Sequence, residues 1–395
     1  MKVRRILKWS VVGVAAFLAA ALLAAYVVYI LPITGIPFNG QRHTRTPITP
    51  PWALECWLWE DDHNTAEFTL ELLNGYLEHD FPVRTILIDS PWSLRYNDFE
   101  VDEDRYPNPE QFFTELEGRG IRVVLWMTPN VNSFSDGTAC EDSAPWYREA
   151  AGNGYLTGDG YQVKWWKGKG GFIDYSNPEA MAWWRAAQQD LFDWGVDGWK
   201  LDGSATYFSS KLGSVPVPFQ NTHAGWMSLR GYMDHYYRDE YQHALTRSPE
   251  FVTLSRAIDS PLPWLHPEGY APLDASPVNW VGDNTHTWAD ETRGLQRALR
   301  CILRSAKLGY CVIGSDVAGY HGGTEIAPDL YIRWAQFSTF CGLFLNGGHG
   351  ERGMWKRSTD ELAIIRKFSW LHTELVPYMY SHVVACHHGA APLMR

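Results

Sequence analysis

The sequence lacks the cysteine spacing of a zinc site and the clustered basic residues of a nucleic-acid-binding protein. Its six cysteines include no C-x-x-C pair, so their spacing provides no tetrahedral zinc site. Four of them lie within apolar runs, which favours buried free thiols over disulfides. The net charge of −11 and the absence of a long basic segment argue against binding to nucleic acid. We therefore predict no metal, no cofactor and no nucleic-acid partner.

The sequence also lacks the low hydrophobicity that is typical of disordered chains. Hydrophobic residues make up 45% and aromatic residues 14% of the 395 positions, which is enough to bury a large core. The chain contains 20 tryptophans and 20 tyrosines. Such rings fill cores and also pack against the apolar C–H faces of sugars. Composition therefore predicts a folded protein and makes carbohydrate binding a hypothesis.

A long uncharged apolar stretch occupies residues 11–31. Four basic residues precede it: Lys2, Arg4, Arg5 and Lys8. The stretch is long enough to cross a bilayer as a helix and exceeds the roughly 7–15 apolar residues of a signal peptide. We predict a membrane anchor over residues 1–32 and a linker over 33–51, with the rest on the non-cytoplasmic side. Cleavage near Ala24 and Ala25, followed by secretion, is the alternative.

Eight apolar runs alternate with helical patterns after residue 51. The runs are WALECWLW from Trp52, RTILID from Arg84, RVVLWMTP from Arg122, VDGWKLD from Val196, FVTLSR from Phe251, VNWVGD from Val278, YCVIGSD from Tyr310 and FSTFCGLFLN from Phe337. Two of the intervening segments start with Asn-Pro and end near a glycine, which is typical of helices. Eight strand–helix units fit a (β/α)8 TIM barrel over residues 52–395 better than a doubly wound sheet.

Carboxylates follow two of these runs, Asp202 in WKLDG and Asp283 in WVGDN. A barrel of parallel strands presents its catalytic groups at the carboxyl ends of the strands. Two carboxylates facing one pocket indicate glycoside hydrolysis. Lys200 shares the facing of Asp202 because side chains alternate along a strand. It is predicted to contact either the substrate or a neighbouring acid.

A basic and aromatic segment, KWWKGKGG, begins at Lys164. This pattern is compatible with contact to an anionic sugar or to membrane headgroups. A solvated loop over the active site is the simpler interpretation, because charged and glycine-rich segments commonly connect regular elements.

Several motifs, in this order, resemble the catalytic barrel of glycoside hydrolase family 31. They are DSPW followed by DFEVDEDRYPNP, IDYSNPEAMAWW, GVDGWKLDG, WVGDNTHTW, GYCVIGSDVAGY, and LVPYMYSH followed by PLMR. The resemblance extends over residues 52–395. It implies a retaining, exo-acting α-glycosidase that removes terminal α-linked sugars from an oligosaccharide or glycoside.

The resemblance also implies roles for individual residues. Asp202 matches the nucleophile that forms a covalent glycosyl-enzyme, and Asp283 matches the general acid/base. The resemblance places four further residues in the sugar-binding pocket: Asp89, Arg256 and Asp316 at strand ends, and His349 in NGGHGER. Trp126, Trp199 and Trp280 are predicted to form its walls.

Two departures from the family pattern keep alternatives open. Family members carry β-domains on both sides of the barrel, and this sequence has a membrane segment in place of the first and ends at PLMR. We therefore expect a barrel without those domains, and a membrane-anchored, non-catalytic carbohydrate-binding relative is the alternative function. The residues after the nucleophile are Gly203, Ser204 and Ala205 instead of an acid. This difference leaves α-glucosidase, α-galactosidase and α-xylosidase specificities open, and a hydrolase of another family with inverting stereochemistry is a further alternative.

Overall fold

Eight parallel strands form the centre of the fold in the computed structural model, which describes residues 2–34, 45–61, 63–203, 217–257, 271–323, 325–347 and 350–395. The strands are β1 Cys56–Glu60, β2 Val83–Ile88, β3 Arg122–Met127, β4 Gly198–Leu201, β5 Val252–Arg256, β6 Val278–Trp280, β7 Ile313–Gly314 and β8 Phe344–Gly347. They form one sheet in the order β7-β6-β5-β4-β3-β2-β1-β8. A parallel bridge between Asp316 and Leu345 joins its two ends. The predicted TIM-barrel fold is confirmed.

Helices surround the sheet. After the amino-terminal segment they are Ala66–Glu78, Pro109–Gly118, Ala144–Gly152, Pro178–Ala187, Gln189–Asp193, Leu229–Arg247, Leu295–Lys307, Pro328–Ser338, Thr359–Glu374 and Val376–His387. Short 3-10 turns lie at Pro51–Leu54, Thr157–Gly160, Leu273–Ala275 and Met354–Lys356. Both helices that were predicted to follow Asn-Pro begin at the proline, whose fixed φ suits a first helical turn. Asn177 caps the second through its side chain.

The first and the eighth predicted strands differ most from expectation, because both start several residues later than their apolar runs. The first run opens with the 3-10 turn Pro51–Leu54, and the start of the eighth belongs to the helix Pro328–Ser338. Trp52, Ala53 and Leu54 are buried within the core inside the barrel. Their apolar character therefore reflects burial and does not distinguish a turn from a strand.

Alternation along the strands divides the apolar side chains into two layers. Trp57 and Trp59 of β1 belong to the cluster inside the barrel, whereas Leu58 belongs to the cluster between the sheet and the helices. This division follows from the two-residue period of a strand. Both faces of each strand are covered, which is why the strands read as nearly continuous apolar runs.

Two inserts lie between barrel elements. The strands Asn130–Ser135, Val163–Trp165 and Gly168–Phe172 form an antiparallel sheet after β3, and Phe219–Thr222 pairs with Gly225–Ser228 in a hairpin after β4. The KWWKGKGG segment is thus largely part of a sheet. This differs from the predicted solvated loop: Trp165 is buried, whereas Trp166 is exposed.

The amino-terminal segment is helical over Lys2–Ala25, continues as a π-helical turn over Tyr26–Ile30 and ends with Leu31–Thr34. Its apolar part, Trp9–Ile33, has 25 residues and a mean hydropathy of 2.6, which is long and apolar enough to cross a membrane. A signal sequence has the same properties. Residues 45–50 lie against the barrel, where the Thr49 hydroxyl donates to the Pro277 carbonyl at 2.5 Å.

Candidate active site

The carboxyl ends of five barrel strands bring five predicted residues to one edge of the sheet. Asp89 follows β2, Asp202 follows β4 and Arg256 ends β5, while Asp283 and Asp316 come shortly after β6 and β7. All parallel strands end at the same edge, so their terminal side chains converge there. This edge is the candidate active site.

Asp202 is held by donors from three different elements. Its Oδ1 accepts a hydrogen bond from Arg256 Nε at 3.1 Å and from the Gly203 backbone N–H at 2.8 Å. Its Oδ2 accepts one from Trp126 Nε1 at 3.1 Å. The Tyr236 hydroxyl donates to the Asp202 carbonyl at 2.8 Å and fixes the backbone. The carboxylate is therefore oriented on both oxygens.

The charge of Asp202 is stabilised despite burial. Burial alone would raise its pKa, but the cations Arg256 and Lys200, with the Gly203 and Trp126 hydrogen bonds, hold the pKa below its ordinary value. Asp202 is consequently an anion at neutral pH, positioned beside the guanidinium of Arg256. An ionised, oriented carboxylate of this kind is suited to nucleophilic attack.

Asp283 shares a cation with Asp202. Arg256 Nη2 lies 3.1 Å from Asp202 Oδ1 and 3.5 Å from Asp283 Oδ1. On its other side, Asp283 Oδ2 lies 3.8 Å from His321 Nε2. The side chain of Asp283 is 27% exposed, compared with 11% for Asp202. The two carboxyl groups thus face one another across a guanidinium nitrogen, and Asp283 is the one with more access to solvent.

Lys200 forms the buried ion pair that was one of its two predicted contacts. Its Nζ lies 2.6 Å from Asp89 Oδ2 and 3.7 Å from the ring centroid of Trp59. Burial would lower the lysine pKa, but the neighbouring acids, Asp89 first among them, raise it. The ammonium is therefore charged, and it holds Asp89 in place at the floor of the site.

Asp316 is the unusual acid of the group. It is fully buried, and neither side-chain oxygen has a hydrogen-bond partner among the residues that the structure describes. Burial, and next to it the charge of Asp283, raises its pKa to about 8, although Lys200 and Arg256 oppose this shift. Asp316 is therefore protonated at neutral pH and presents an O–H donor to the site.

Of the three predicted tryptophans, two lie at the site and one does not. Trp126 donates to Asp202, and the Trp280 ring is buried beneath Arg256, 4.8 Å from its guanidinium carbon. The prediction that Trp199 forms a pocket wall is wrong. Trp199 packs against Phe192 and Phe251 in the outer core, because it alternates with Lys200, which faces the barrel interior.

His349 lies outside the described residues, so its predicted contact to the sugar stays a prediction. Trp59, which lies under Lys200, and His321 were not predicted at the site. Trp165, whose ring stacks on Trp126 at 6.3 Å, belongs to the KWWKGKGG segment that was predicted to lie over the active site. The argument from strand ends that indicated Asp202 and Asp283 applies equally to Trp59, near the end of β1. Trp165 lies on an inserted strand and His321 on a loop, and no spacing in the sequence reveals where these two segments run. Among the described positions, no group of three or more His, Cys, Asp or Glu side chains is placed to hold a metal ion.

The buried neutral state of Asp316 predicts a pH-dependent stability difference. Between about pH 4 and about pH 8 the unfolded chain releases the Asp316 proton that the folded chain keeps, so the wild type loses stability as pH rises. Asp316→Asn is neutral throughout this range. We expect it to unfold several degrees above the wild type at pH 7.5 and near the wild type at pH 4, measured by circular dichroism.

The control for this measurement is Asp104→Asn, since Asp104 is exposed. Its unfolding temperature should follow the wild type at every pH. If the unfolding temperatures of Asp316→Asn and the wild type differ by the same amount at pH 4 and pH 7.5, Asp316 does not hold a proton in the folded state.

Comparisons with known proteins agree with this geometry. The family model described as "Glycosyl hydrolases family 31 TIM-barrel domain" matches residues 46–382. Alpha-glucosidase 2 of Bacillus thermoamyloliquefaciens is 26% identical over 89% of this chain and 43% of its own length. Alpha-xylosidase XylQ of Lactiplantibacillus pentosus is 26% identical over 88% of this chain and 43% of its own length. The chain thus spans less than half of these relatives.

Solved structures show the same fold. A GH31 dextranase from Flavobacterium johnsoniae, complexed with glucose, superimposes with a TM-score of 0.74 at 20% identity, covering 89% of this chain and 43% of the other. A GH31 alpha-xylosidase from a soil metagenome, complexed with xylose, has a TM-score of 0.69 at 21% identity over 88% of this chain and 52% of the other. Since the family model covers most of the sequence, the chain belongs to glycosyl hydrolases family 31 and contains the TIM-barrel domain of that family.

Proposed function

We propose that this chain is a retaining, exo-acting α-glycosidase in which Asp202 is the nucleophile and Asp283 the general acid/base. The observation that carries the proposal is the pair of carboxyl groups that share Arg256 Nη2 at 3.1 and 3.5 Å. Retention requires two carboxyl groups about 5–5.5 Å apart, on opposite sides of the scissile bond. Family membership supports the same chemistry.

In the first step the Asp202 carboxylate attacks the anomeric carbon. The bond from that carbon to the leaving-group oxygen breaks, and Asp283 gives its proton to this oxygen. In the second step water attacks the same carbon, Asp283 takes a proton from the water, and the bond to Asp202 breaks. The greater exposure of Asp283 suits a group that must meet both a leaving group and water.

Arg256 has two functions in this scheme. It keeps Asp202 ionised in the resting enzyme, as the lowered pKa of Asp202 shows. It also stabilises the negative charge that Asp283 carries after it has given up its proton, because the same guanidinium nitrogen reaches both acids. A fixed cation at this position stabilises the negative charge of each carboxylate without reorganisation during the reaction.

The remaining polar groups are proposed to bind the terminal sugar. Asp89 offers acceptor oxygens, Lys200 offers N–H donors, and the protonated Asp316 offers a donor and an acceptor. Trp126 closes the side of the site and stacks on Trp165. Neutral sugar hydroxyls, which both donate and accept hydrogen bonds, suit this combination of donors and acceptors. The proposed chemistry requires no metal or cofactor. The relatives leave α-glucosides and α-xylosides equally open as substrates.

Two variants separate the proposed roles of the two acids. In Asp202→Ala, hydrolysis of every α-glycoside should be lost, because no glycosyl-enzyme forms. In Asp283→Ala, kcat/KM for a 2,4-dinitrophenyl α-glycoside should stay near wild type, since that leaving group needs no proton, whereas kcat/KM for a 4-methylumbelliferyl α-glycoside should fall about 100-fold or more. The full chain in detergent is tested on a panel of gluco-, galacto- and xylosides.

The matched control is Trp199→Phe, which changes a buried ring of the outer core. It should leave the ratio of kcat/KM for the 2,4-dinitrophenyl glycoside to kcat/KM for the 4-methylumbelliferyl glycoside unchanged. Equal losses of kcat/KM for both leaving groups in Asp283→Ala would remove Asp283 as the acid. A folded wild type that binds but hydrolyses none of the panel would establish the non-catalytic carbohydrate-binding alternative.

We further propose that the helix through residues 9–33 stays attached as a membrane anchor and that the barrel lies on the non-cytoplasmic side. Its 25 apolar residues follow four basic ones, which favours a cytoplasmic amino terminus. The intact mass of the protein extracted from membranes should include residues 2–32. A mature protein that starts after Ala25 would instead establish a cleaved signal peptide.

A further inference from the structure

We propose that Cys311 and Cys386 form a disulfide that ties the helix Val376–His387 to the amino-terminal edge of the barrel. The six cysteines are free thiols in the structure, and five of them are buried. Cys311 precedes β7, and Cys386 lies near the end of the helix. The pair is therefore at the opposite edge of the sheet from the aspartates, and its role is independent of the proposed glycosidase activity.

The two thiols are in contact. A hydrogen bond joins the side chains of Cys311 and Cys386, and both belong to the apolar cluster inside the barrel. Met379 and Val383, about two turns and one turn earlier on the helix, belong to the same cluster. The packing of this helix face against the barrel therefore presents one thiol to the other, which is the first requirement for a disulfide.

The segment over residues 45–50 converges on the same place. Thr46 Oγ1 lies 3.7 Å from Cys386 Sγ, and the Thr46 carbonyl oxygen lies 2.7 Å from His387 Nδ1. The Leu393 backbone N–H donates to the Cys311 sulfur. Separate stretches of the chain thus meet at the thiol pair. A covalent link here would close a long loop between positions 311 and 386 and would constrain the unfolded chain.

The two thiols differ in acidity and in access to solvent. The hydrogen bond from Cys311, with the Thr46 hydroxyl and the charge of His387, holds the pKa of Cys386 below its usual range, although burial opposes this. The same hydrogen bond, together with burial, raises the pKa of Cys311. Cys386 is 8% exposed and Cys311 is 2% exposed. Because the thiolate is the reactive form of cysteine, Cys386 is the thiol that reacts first.

The oxidant is a small disulfide such as oxidised glutathione. The Cys386 thiolate attacks one of its sulfur atoms, the S–S bond of the oxidant breaks, and one small thiolate leaves. Cys311 then gives its proton to water and attacks Cys386 Sγ, which releases the second small thiolate. Two protein thiols are oxidised, and one small disulfide is reduced to two thiols. On the non-cytoplasmic side, where the barrel is proposed to lie, such a disulfide persists.

The test identifies the linked cysteines by mass. The full chain in detergent is reduced, freed of the reductant and incubated with oxidised glutathione. It is then denatured, the remaining thiols are alkylated and the chain is digested. Peptide mass spectrometry should find one disulfide, between Cys311 and Cys386. The control Cys140→Ala removes the partly exposed thiol and should form the same link.

Two variants establish the order of the steps. Cys311→Ala should stop with one glutathione attached to Cys386, because no second thiol resolves the mixed disulfide. Cys386→Ala should take up glutathione at Cys311 about tenfold more slowly or less. Thiols at 311 and 386 that stay free in the wild type, or a link from either of them to another cysteine, would overturn the proposal.

The link should also stabilise the fold. The oxidised wild type should unfold several degrees above the reduced wild type when followed by circular dichroism, because the disulfide constrains the unfolded chain. Cys311→Ala should show no such gain after the same oxidation. Equal unfolding temperatures for the linked and the reduced wild type would overturn the claim that the disulfide ties the helix to the barrel.

Discussion

The charge pairing at the mouth of the barrel is the constraint on which the site depends. Four aspartates, Asp89, Asp202, Asp283 and Asp316, face two cations, Lys200 and Arg256, in a largely buried space. Buried anions persist only where cations or hydrogen bonds compensate their lost hydration. Lys200 compensates Asp89, and Arg256 divides its charge between Asp202 and Asp283. The fourth acid, Asp316, keeps its proton, as its raised pKa of about 8 shows.

This distribution of charge gives chemically similar residues different tasks. Asp202 receives two close cations and two hydrogen bonds and is anionic. Asp283 lies further from the same guanidinium and nearer to solvent. Asp316 is fully buried, and burial raises its pKa to about 8, so it keeps its proton. Separate environments for otherwise equivalent carboxyl groups are how a glycosidase obtains a nucleophile and an acid from one residue type. The fold supplies the separation, because each aspartate follows a different strand.

Much of this arrangement was predictable from the sequence, for a clear physical reason. Parallel strands end at one edge, so Asp202 and Asp283 were expected together from the ends of their apolar runs, and the family resemblance added Asp89 and Arg256 at other strand ends; all four are found at that edge. Trp199 was misassigned although the alternation rule applied to Lys200 excludes it. The contact of His321 with Asp283 was not predictable, because it depends on backbone hydrogen bonds between two loops. The same is true of the stacking of Trp165, which is carried by an inserted sheet, on Trp126.

The proposed mechanism depends most directly on which carboxylate forms the covalent bond to the sugar. A 5-fluoro-α-glycosyl fluoride forms its covalent intermediate quickly and releases it slowly, so the intermediate of the wild-type chain can be trapped and digested. Peptide mass spectrometry should find one glycosyl group, attached to Asp202, which Arg256 keeps ionised. Attachment to Asp283 or Asp89, or continued turnover with no trapped sugar, would contradict the claim that Asp202, which Arg256 keeps ionised, is the nucleophile.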